Sequence, residues 1–183
     1  MIYKVIDNFL DDRTFYNYHK LIMSEENMWA WQNYANSNSK NEDLNEQIIF
    51  SNILVGDYQW AYDDANKFVN PIMLEIKKRS PDDKFEVCRA KMNLIIRNNK
   101  PIKYGLHYDL MKVDGKIKND YETIIFYVNN NNGGTGFENG EFVQQKANRA
   151  LFIYGRVLHQ TIGQTDEKRR VNVNINYERK KND

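Results

Sequence analysis

The sequence predicts one mostly β domain, an antiparallel sandwich or barrel with helices packed on one sheet. Up to about residue 80, apolar residues recur at helical spacing, whereas beyond it they alternate with polar residues in short runs. Turns rich in Gly and Asn separate these later runs, which is typical of antiparallel strands. Residues 1–183 are therefore expected to form a single domain, with a helical N-terminal layer over about 1–80 and a β core over about 84–179.

The chain opens with a predicted strand over residues 2–6, and a helix follows it. Asp11 or Asp12 can cap this helix, because a short acidic side chain accepts hydrogen bonds from the free N–H groups of the first turn. The apolar residues of the helix fall near one face as far as about Met23. We therefore expect this helix to pack on a sheet.

Trp29, Trp31 and Tyr34 come next, before a polar stretch over 36–46 that is predicted to be a long loop. The three aromatic side chains have two interpretations. They could line a substrate groove, or they could cover the core beneath the loop, and we prefer the second interpretation. No element is predicted for residues 47–56.

A second helix is predicted from Asp57 to Ile76, where apolar residues form a broad stripe. Pro71 is expected to kink this helix or to divide it, since proline lacks an N–H and clashes with the preceding turn. Strands are predicted after it at 85–97, 121–129, 141–144, 147–154 and 170–177. Turns are predicted between them at 114–115, 129–136, 139–140 and 163.

The composition counts against several classes of partner. The 26 Lys and Arg residues nearly balance the 25 Asp and Glu residues. The net charge therefore does not indicate binding to nucleic acid or to an anionic membrane. Cys88 is the only cysteine, so no disulfide can form within the chain, which suits a reducing compartment. No apolar run approaches the roughly 20 residues that cross a bilayer. We expect a cytoplasmic protein, and its oligomeric state is left open.

His107 and Asp109 form a His-x-Asp pattern. Residues two apart in a strand point to the same side, so the imidazole and the carboxylate can converge on one point. A second histidine would complete the set that binds non-haem Fe(II) and leaves three coordination positions open. His159 follows the strand over 147–154 and is placed to be that ligand, whereas His19 is expected on the surface of the first helix. Taken alone, the pattern could also be an ordinary histidine–carboxylate hydrogen bond.

The last predicted strand alternates strictly between polar and apolar residues. One face carries Arg170, Asn172, Asn174 and Asn176, and the other carries Val171, Val173, Ile175 and Tyr177. An arginine on the polar face can offer its planar fork of donors to a carboxylate. Arg169 shares its face with the apolar set, so Arg170 is the candidate that faces a wet pocket. The alternative is a half-exposed strand with solvated asparagines.

The order of His107, Asp109, His159 and Arg170 resembles the 2-oxoglutarate/Fe(II) dioxygenases, in particular the prolyl-hydroxylase-like branch. The resemblance covers about residues 93–177 and is densest in its second half. Further segments that follow the family's order are 124–129, 133–137 and 150–152, and residues 7–10 resemble the usual N-terminal opening of the branch.

The resemblance implies a double-stranded β-helix, or jelly roll, in which His107, Asp109 and His159 face inward and hold Fe(II). It implies an enzyme that consumes 2-oxoglutarate and O2, releases succinate and CO2, and hydroxylates a C–H bond. The substrate would be peptidyl, with prolyl groups the nearest analogy, or a small molecule. Ascorbate is a candidate further cofactor.

The resemblance also assigns residues to the co-substrate. Arg170 would bind the distal carboxylate of 2-oxoglutarate, and Tyr127 would add a hydrogen bond to it. Asn172 stands where many relatives carry a serine or another small polar residue. Relatives often have a tyrosine ten residues before the first histidine ligand, where this chain has Arg97, and Tyr104 is expected to take part of that role.

Two alternatives stay open at this point. One is a catalytically silent jelly-roll binding module, against which the intact ligand set and the arginine argue. The other is a nucleic-acid demethylase of the same superfamily, against which the near-zero net charge counts.

Overall fold

The computed structural model describes residues 2–32, 49–110, 121–155 and 157–180. The helices are Asp12–Ile22 (α1) and Asn66–Arg79 (α2). The strands are Tyr3–Ile6 (β1), Ala30–Gln32 (β2), Ile49–Gly56 (β3), Gln59–Trp60 (β4), Lys84–Ile96 (β5), Glu122–Tyr127 (β6), Gly134–Phe137 (β7), Phe142–Gln144 (β8), Arg149–Tyr154 (β9), His159–Ile162 (β10) and Arg169–Lys180 (β11).

Within the described ranges the strands form two antiparallel sheets. The larger sheet has the order β1-β9-β6-β11-β5-β3-β2, with β4 paired to β3, and the smaller one has the order β10-β7-β8. β11 lies between β5 and β6 and is paired with both. Its polar and apolar faces therefore decide what lies on each side of the large sheet.

The apolar face of the large sheet packs on the two helices. Buried side chains from α1, α2, β5, β6 and β11 form this core, among them Tyr18, Ile72, Met92, Phe126 and Val173. A smaller apolar cluster that includes Ile125, Phe137, Val143 and Leu151 joins the large sheet to the small one. The opposite face of β5 and β11 is thus free to line a pocket between the sheets.

The first helix begins as predicted. Asp11 is its N-cap and accepts a hydrogen bond of 3.0 Å from the N–H of Thr14. Trp29 packs on the helix-side core, whereas Trp31 pairs with Phe50 across β2 and β3 and is 67% exposed. Neither tryptophan lines the pocket between the sheets, and Tyr34 lies outside the described residues.

The prediction of a helix from Asp57 is wrong for its first part. Asp57 and Tyr58 have φ of +46° and +63°, and they form a two-residue turn that pairs β3 with β4. Turns of this kind match the right-handed twist of a hairpin. The helix begins only at Asn66 and continues through Pro71 without being divided.

Five strands of the described residues were not predicted from the sequence: β2, β3, β4, β7 and β10. Ile49–Gly56 forms β3, so the N-terminal layer adds strands to the large sheet and is not purely helical. Gly134–Phe137, expected to be part of a turn, forms β7. A Cβ at Gly134 would lie 2.2 Å from the carbonyl oxygen of Val143, so glycine here permits the close approach of β8. No helix in the described part of the chain is long and apolar enough to cross a membrane.

Candidate metal centre

Two histidines from distant parts of the chain are joined by their main chains. The N–H of His107 donates to the carbonyl of His159 at 2.9 Å, and the N–H of His159 donates back at 3.2 Å. His159 is the first residue of β10, whereas His107 lies in an irregular extended segment, so the pair forms an isolated antiparallel bridge. The ring centres lie 4.7 Å apart. The backbone therefore sets the two imidazoles side by side.

Asp109 completes a set of three potential metal ligands. Its Oδ1 lies 3.7 Å from Nε2 of His107, and its Oδ2 lies 3.6 Å from Nε2 of His159. One donor atom from each of the three residues lies within 4.8 Å of the other two. Two imidazole nitrogens and one carboxylate oxygen are the donors of the facial triad that binds non-haem iron.

The second nitrogen of each ring fixes which tautomer is present. Nδ1 of His107 lies 3.2 Å from the carbonyl oxygen of Gly105, and Nδ1 of His159 lies 3.1 Å from that of Val157. A carbonyl only accepts hydrogen bonds, so each Nδ1 carries the proton and each Nε2 keeps a lone pair. Nε2 of His159 is buried and has no hydrogen-bond partner. A metal ion would satisfy this acceptor, so the residues fit the ion that the fold implies.

The carboxylate of Asp109 is held from its other side by polar groups of the large sheet. The hydroxyl of Thr123 donates to Oδ2 at 2.9 Å. The side-chain amides of Asn174 and Asn176 each donate to the carboxylate at 3.2 Å. These three donors orient the carboxylate toward the histidines, which is the support that metal ligands generally have.

Electrostatics favour the metal-binding forms of two of the ligands, Asp109 and His159. Burial alone would raise the pKa of Asp109, but the imidazoles of His159 and His107 and the Arg89 guanidinium hold this pKa well below its ordinary value. Burial lowers the pKa of His159, against the opposing charge of Asp109. The carboxylate is therefore ionised and His159 neutral near pH 7, as coordination requires.

A second group of unsatisfied atoms lies at the other end of the same pocket. Arg170 is 1% exposed, and its Nη2 donates to the carbonyl of Gly134 at 3.1 Å, while its Nε and Nη1 have no partner. The buried hydroxyl of Tyr104 also has no partner in hydrogen-bond geometry. Unpaired buried donors are costly, so these atoms point to an absent acceptor. A carboxylate satisfies such a set.

Tyr127 does not itself line the pocket. Its ring centre lies 5.9 Å from the Arg170 guanidinium carbon, and its hydroxyl donates to Oγ1 of Thr135 at 2.7 Å. The side chain of Thr135 lines the pocket instead. Asn172 does line the pocket, where its Oδ1 accepts a hydrogen bond of 3.0 Å from Asn93.

The pocket brings together six of the seven predicted site residues: Tyr104, His107, Asp109, His159, Arg170 and Asn172. The other lining residues are Ile49, Lys91, Asn93, Ile95, Ile125, Thr135, Thr161 and Asn174. Arg169 points away, toward α1, and donates to the carbonyl of Met23. His19 lies in α1 against Phe15 and belongs to no site described here.

Several residues of the site were not predicted. Thr123, Asn174 and Asn176 hold Asp109, and the strict polar alternation of β11 was a signal for two of them. Lys91 lines the pocket on β5, whose alternation had placed it on a polar face with Arg89 and Asn93. Burial, and secondarily the Arg89 guanidinium, lowers the pKa of Lys91 to about 8, with the Asp109 carboxylate opposing the shift.

Comparison by sequence finds no matching family model and no matching curated protein. Comparison of structures does find matches. An oxidoreductase of the 2OG-Fe(II) oxygenase family from Burkholderia pseudomallei aligns with a TM-score of 0.67 at 8% identity, over 97% of this chain and 85% of that chain. A prolyl hydroxylase from Trichoplax adhaerens, in complex with a peptide fragment of hypoxia inducible factor, aligns with 0.63 at 13% identity, over 97% and 83%.

The viral collagen prolyl hydroxylase of Paramecium Bursaria Chlorella virus-1, in complex with 2-oxoglutarate, aligns with a TM-score of 0.58 at 14% identity, over 98% of this chain and 96% of that one. At sequence identities this low, the structural similarity shows the fold alone. The predicted double-stranded β-helix with helices on one sheet is confirmed.

Proposed function

We propose that this chain, which has the fold of the 2-oxoglutarate- and Fe(II)-dependent oxygenases, is itself such an enzyme and hydroxylates a C–H bond. The observation that carries the proposal is the pairing of two incomplete sites in one pocket. The donor set of His107, Asp109 and His159 lacks a cation, and Arg170 with Tyr104 lacks an anion. Fe(II) and the distal carboxylate of 2-oxoglutarate would satisfy both.

The ligand residues hold Fe(II) through Nε2 of each histidine and the carboxylate of Asp109. Bound there, Fe(II) supplies the activation of O2 that couples decarboxylation of 2-oxoglutarate to hydroxylation of the substrate. The protein's own part is to present neutral imidazoles and an ionised carboxylate with their orientations fixed. The carbonyls of Gly105 and Val157 keep the protons on Nδ1 throughout.

Arg170 binds and orients the co-substrate. Its guanidinium is fixed by Gly134 and lies over the ring of Tyr127, so the two free nitrogens have a set direction. Burial between the sheets excludes water from this end of the pocket, which strengthens a charged hydrogen bond. Tyr104 donates its free hydroxyl to the same carboxylate. These residues would distinguish a dicarboxylic 2-oxo acid from a monocarboxylic one such as pyruvate.

The substrate class is proposed at the level that the neighbours support. The Trichoplax enzyme is in complex with a peptide fragment, and we propose a peptidyl or small-molecule substrate for this chain, with succinate and CO2 as the other products.

The direct test is succinate release from protein loaded anaerobically with Fe(II) and then given 2-oxoglutarate and O2. We expect a slow basal signal that candidate substrates increase. His107→Ala should abolish it, whereas His19→Ala, a histidine of α1 outside the pocket, should retain it. Binding of 2-oxoglutarate without any succinate release would favour a silent binding module instead.

A further inference from the structure

The pocket has a closed end and an open end. Ile95 and Arg170 face each other across β5 and β11, and each is 1% exposed. Four residues along the same strands, Lys91 faces Asn174 on β11 and Ile53 on β3. Ile53 is 55% exposed, so the pocket reaches solvent at this end. Lys91 therefore lies toward the open end of the pocket.

The ammonium of Lys91 has no direct partner among the described residues. Among the described residues that line the pocket, the one carboxylate is that of Asp109, which already accepts hydrogen bonds from Thr123, Asn174 and Asn176 and faces the two histidines. Lys91 is half-buried, and a partly desolvated cation without a counter-ion costs free energy that a bound anion would recover. The lowered pKa of Lys91 agrees with this lack of a counter-ion.

Charge balance points the same way. Among the described residues that line the pocket or contact its ligands, the cations are Arg89, Lys91 and Arg170, and the one carboxylate is Asp109. Fe(II) and the dianion of 2-oxoglutarate cancel each other. Counted over the described residues alone, two positive charges remain in the loaded pocket, which favours an anionic substrate over a neutral one.

The strand positions of the two cations are farther apart than the co-substrate is long. Strands rise about 3.3 Å per residue, so the positions of Lys91 and Ile95, whose partner is Arg170, are about 13 Å apart. The four carbon–carbon bonds of 2-oxoglutarate, each about 1.5 Å long, span at most roughly 6 Å. With its distal carboxylate on Arg170, the other carboxylate of 2-oxoglutarate would be directed to Fe(II) at His107, Asp109 and His159, which leaves Lys91 for a different anion.

We propose that Lys91 binds a carboxylate of the substrate, so that the pocket takes a carboxylate-bearing substrate rather than a neutral prolyl peptide. This inference rests on the proposed function. A carboxylate is favoured over a phosphate group because no lining residue belongs to α1 or α2. A helix N-terminus or a cluster of arginines is the usual means of binding the higher charge of phosphate. One ammonium with the neighbouring amides of Asn93 and Asn174 suits a single negative charge.

The carboxylate could come from a free amino acid, from the C-terminus of a peptide or from an acidic side chain. The test uses calorimetric titration of the anaerobic Fe(II)- and 2-oxoglutarate-loaded protein, in which turnover cannot begin. Three matched pairs of probes separate the sources: amino acids against their amides, peptides ending in a carboxylate against amidated ones, and peptides with an internal Glu against Gln. In at least one pair we expect the carboxylate to bind about tenfold more tightly, as a charged hydrogen bond implies.

Lys91→Met should remove this preference and leave 2-oxoglutarate binding within about twofold, whereas Lys91→Arg should keep part of the preference. Lys84→Met, on the same strand but exposed outside the pocket, is the matched control and should change neither. No preference in any pair, with normal 2-oxoglutarate binding, would overturn the inference and leave the proposed function standing. A loss of 2-oxoglutarate affinity in Lys91→Met would also overturn it, because Lys91 would then belong to the co-substrate. Failure of the wild type to bind 2-oxoglutarate would instead count against the proposed function itself.

Discussion

Arg170→Ala should weaken the binding of 2-oxoglutarate by a factor on the order of 10². The guanidinium is 1% exposed, and two of its three nitrogens have no protein partner. A carboxylate bound there forms a charge pair that water does not reach. Truncation of one partner of such a pair costs about 2–5 kcal/mol, and each 1.4 kcal/mol is about a factor of ten in affinity. The expected loss is thus between about thirtyfold and a few thousandfold.

The measurement is calorimetric titration of 2-oxoglutarate into anaerobic Fe(II)-loaded protein. Arg169→Ala is the matched control, since that guanidinium points toward α1 and donates to the carbonyl of Met23. Arg170→Lys should recover only part of the affinity, because an ammonium cannot reproduce the two-pronged contact. As a second readout, 2-oxoglutarate should raise the melting temperature of the wild type and of Arg169→Ala but not that of Arg170→Ala.

Two results would refute this reasoning. Tighter binding by Arg170→Ala than by Arg169→Ala would mean that β11 is shifted by one residue, which would exchange its polar and apolar faces. Unchanged affinity in Arg170→Ala, with the fold intact, would mean that the free nitrogens of Arg170 serve some other acceptor.

Three further predictions concern the ligands, the fold and pH. His107→Ala should abolish succinate release while the fold is kept, and His19→Ala should be close to silent; normal turnover by the first variant would remove the metal assignment. Gly134→Ala should lower the free energy of unfolding by about 1–3 kcal/mol, because its Cβ would collide with the β8 main chain. In Gly56→Ala the new Cβ meets nothing closer than 3.9 Å, so this control variant should lose little stability. Equal urea midpoints for the two variants would contradict this prediction. Folding lowers the pKa of His159, so the unfolded chain binds a proton more readily than the folded chain does. The free energy of unfolding of the metal-free protein should therefore decrease as pH falls below about 6.5. Urea titrations across this pH range should show a smaller decrease for His159→Gln, and an equal decrease would mean that another group causes the pH dependence.

The co-substrate side of the pocket could be predicted from the sequence because strand parity is a local property. The alternation of β11 alone separates Arg170 from Arg169, and the structure has Arg170 lining the pocket and Arg169 pointing toward α1. Parity also placed Lys91 on a polar face. Which strand lies opposite that face depends on long-range pairing, so its position near Asp109 could not be read from the chain.

The wrong predictions came from local sequence patterns that the tertiary structure overrides. The apolar stripe after Asp57 has helical spacing, but two residues with positive φ turn the chain into a hairpin before the helix begins. The glycines at 133–136 read as a turn, yet Gly134 is required by contact with Val143 on the neighbouring strand. A contact of this kind is made between residues far apart in sequence, and composition does not reveal it.

The backbone bridge between His107 and His159 has a consequence for when the metal centre forms during folding. The two residues are far apart in the chain, and closing so long a loop is a late event unless the surrounding sheets are already formed. We therefore expect the donor atoms to come into position only when β10 pairs with β7, so that metal binds after this pairing and does not nucleate folding. The two bridging amide protons should accordingly exchange with solvent at matching rates, and only through openings that also dismantle the centre. Deuterium uptake at these two amides would then report how often the metal-free protein loses its ligand geometry.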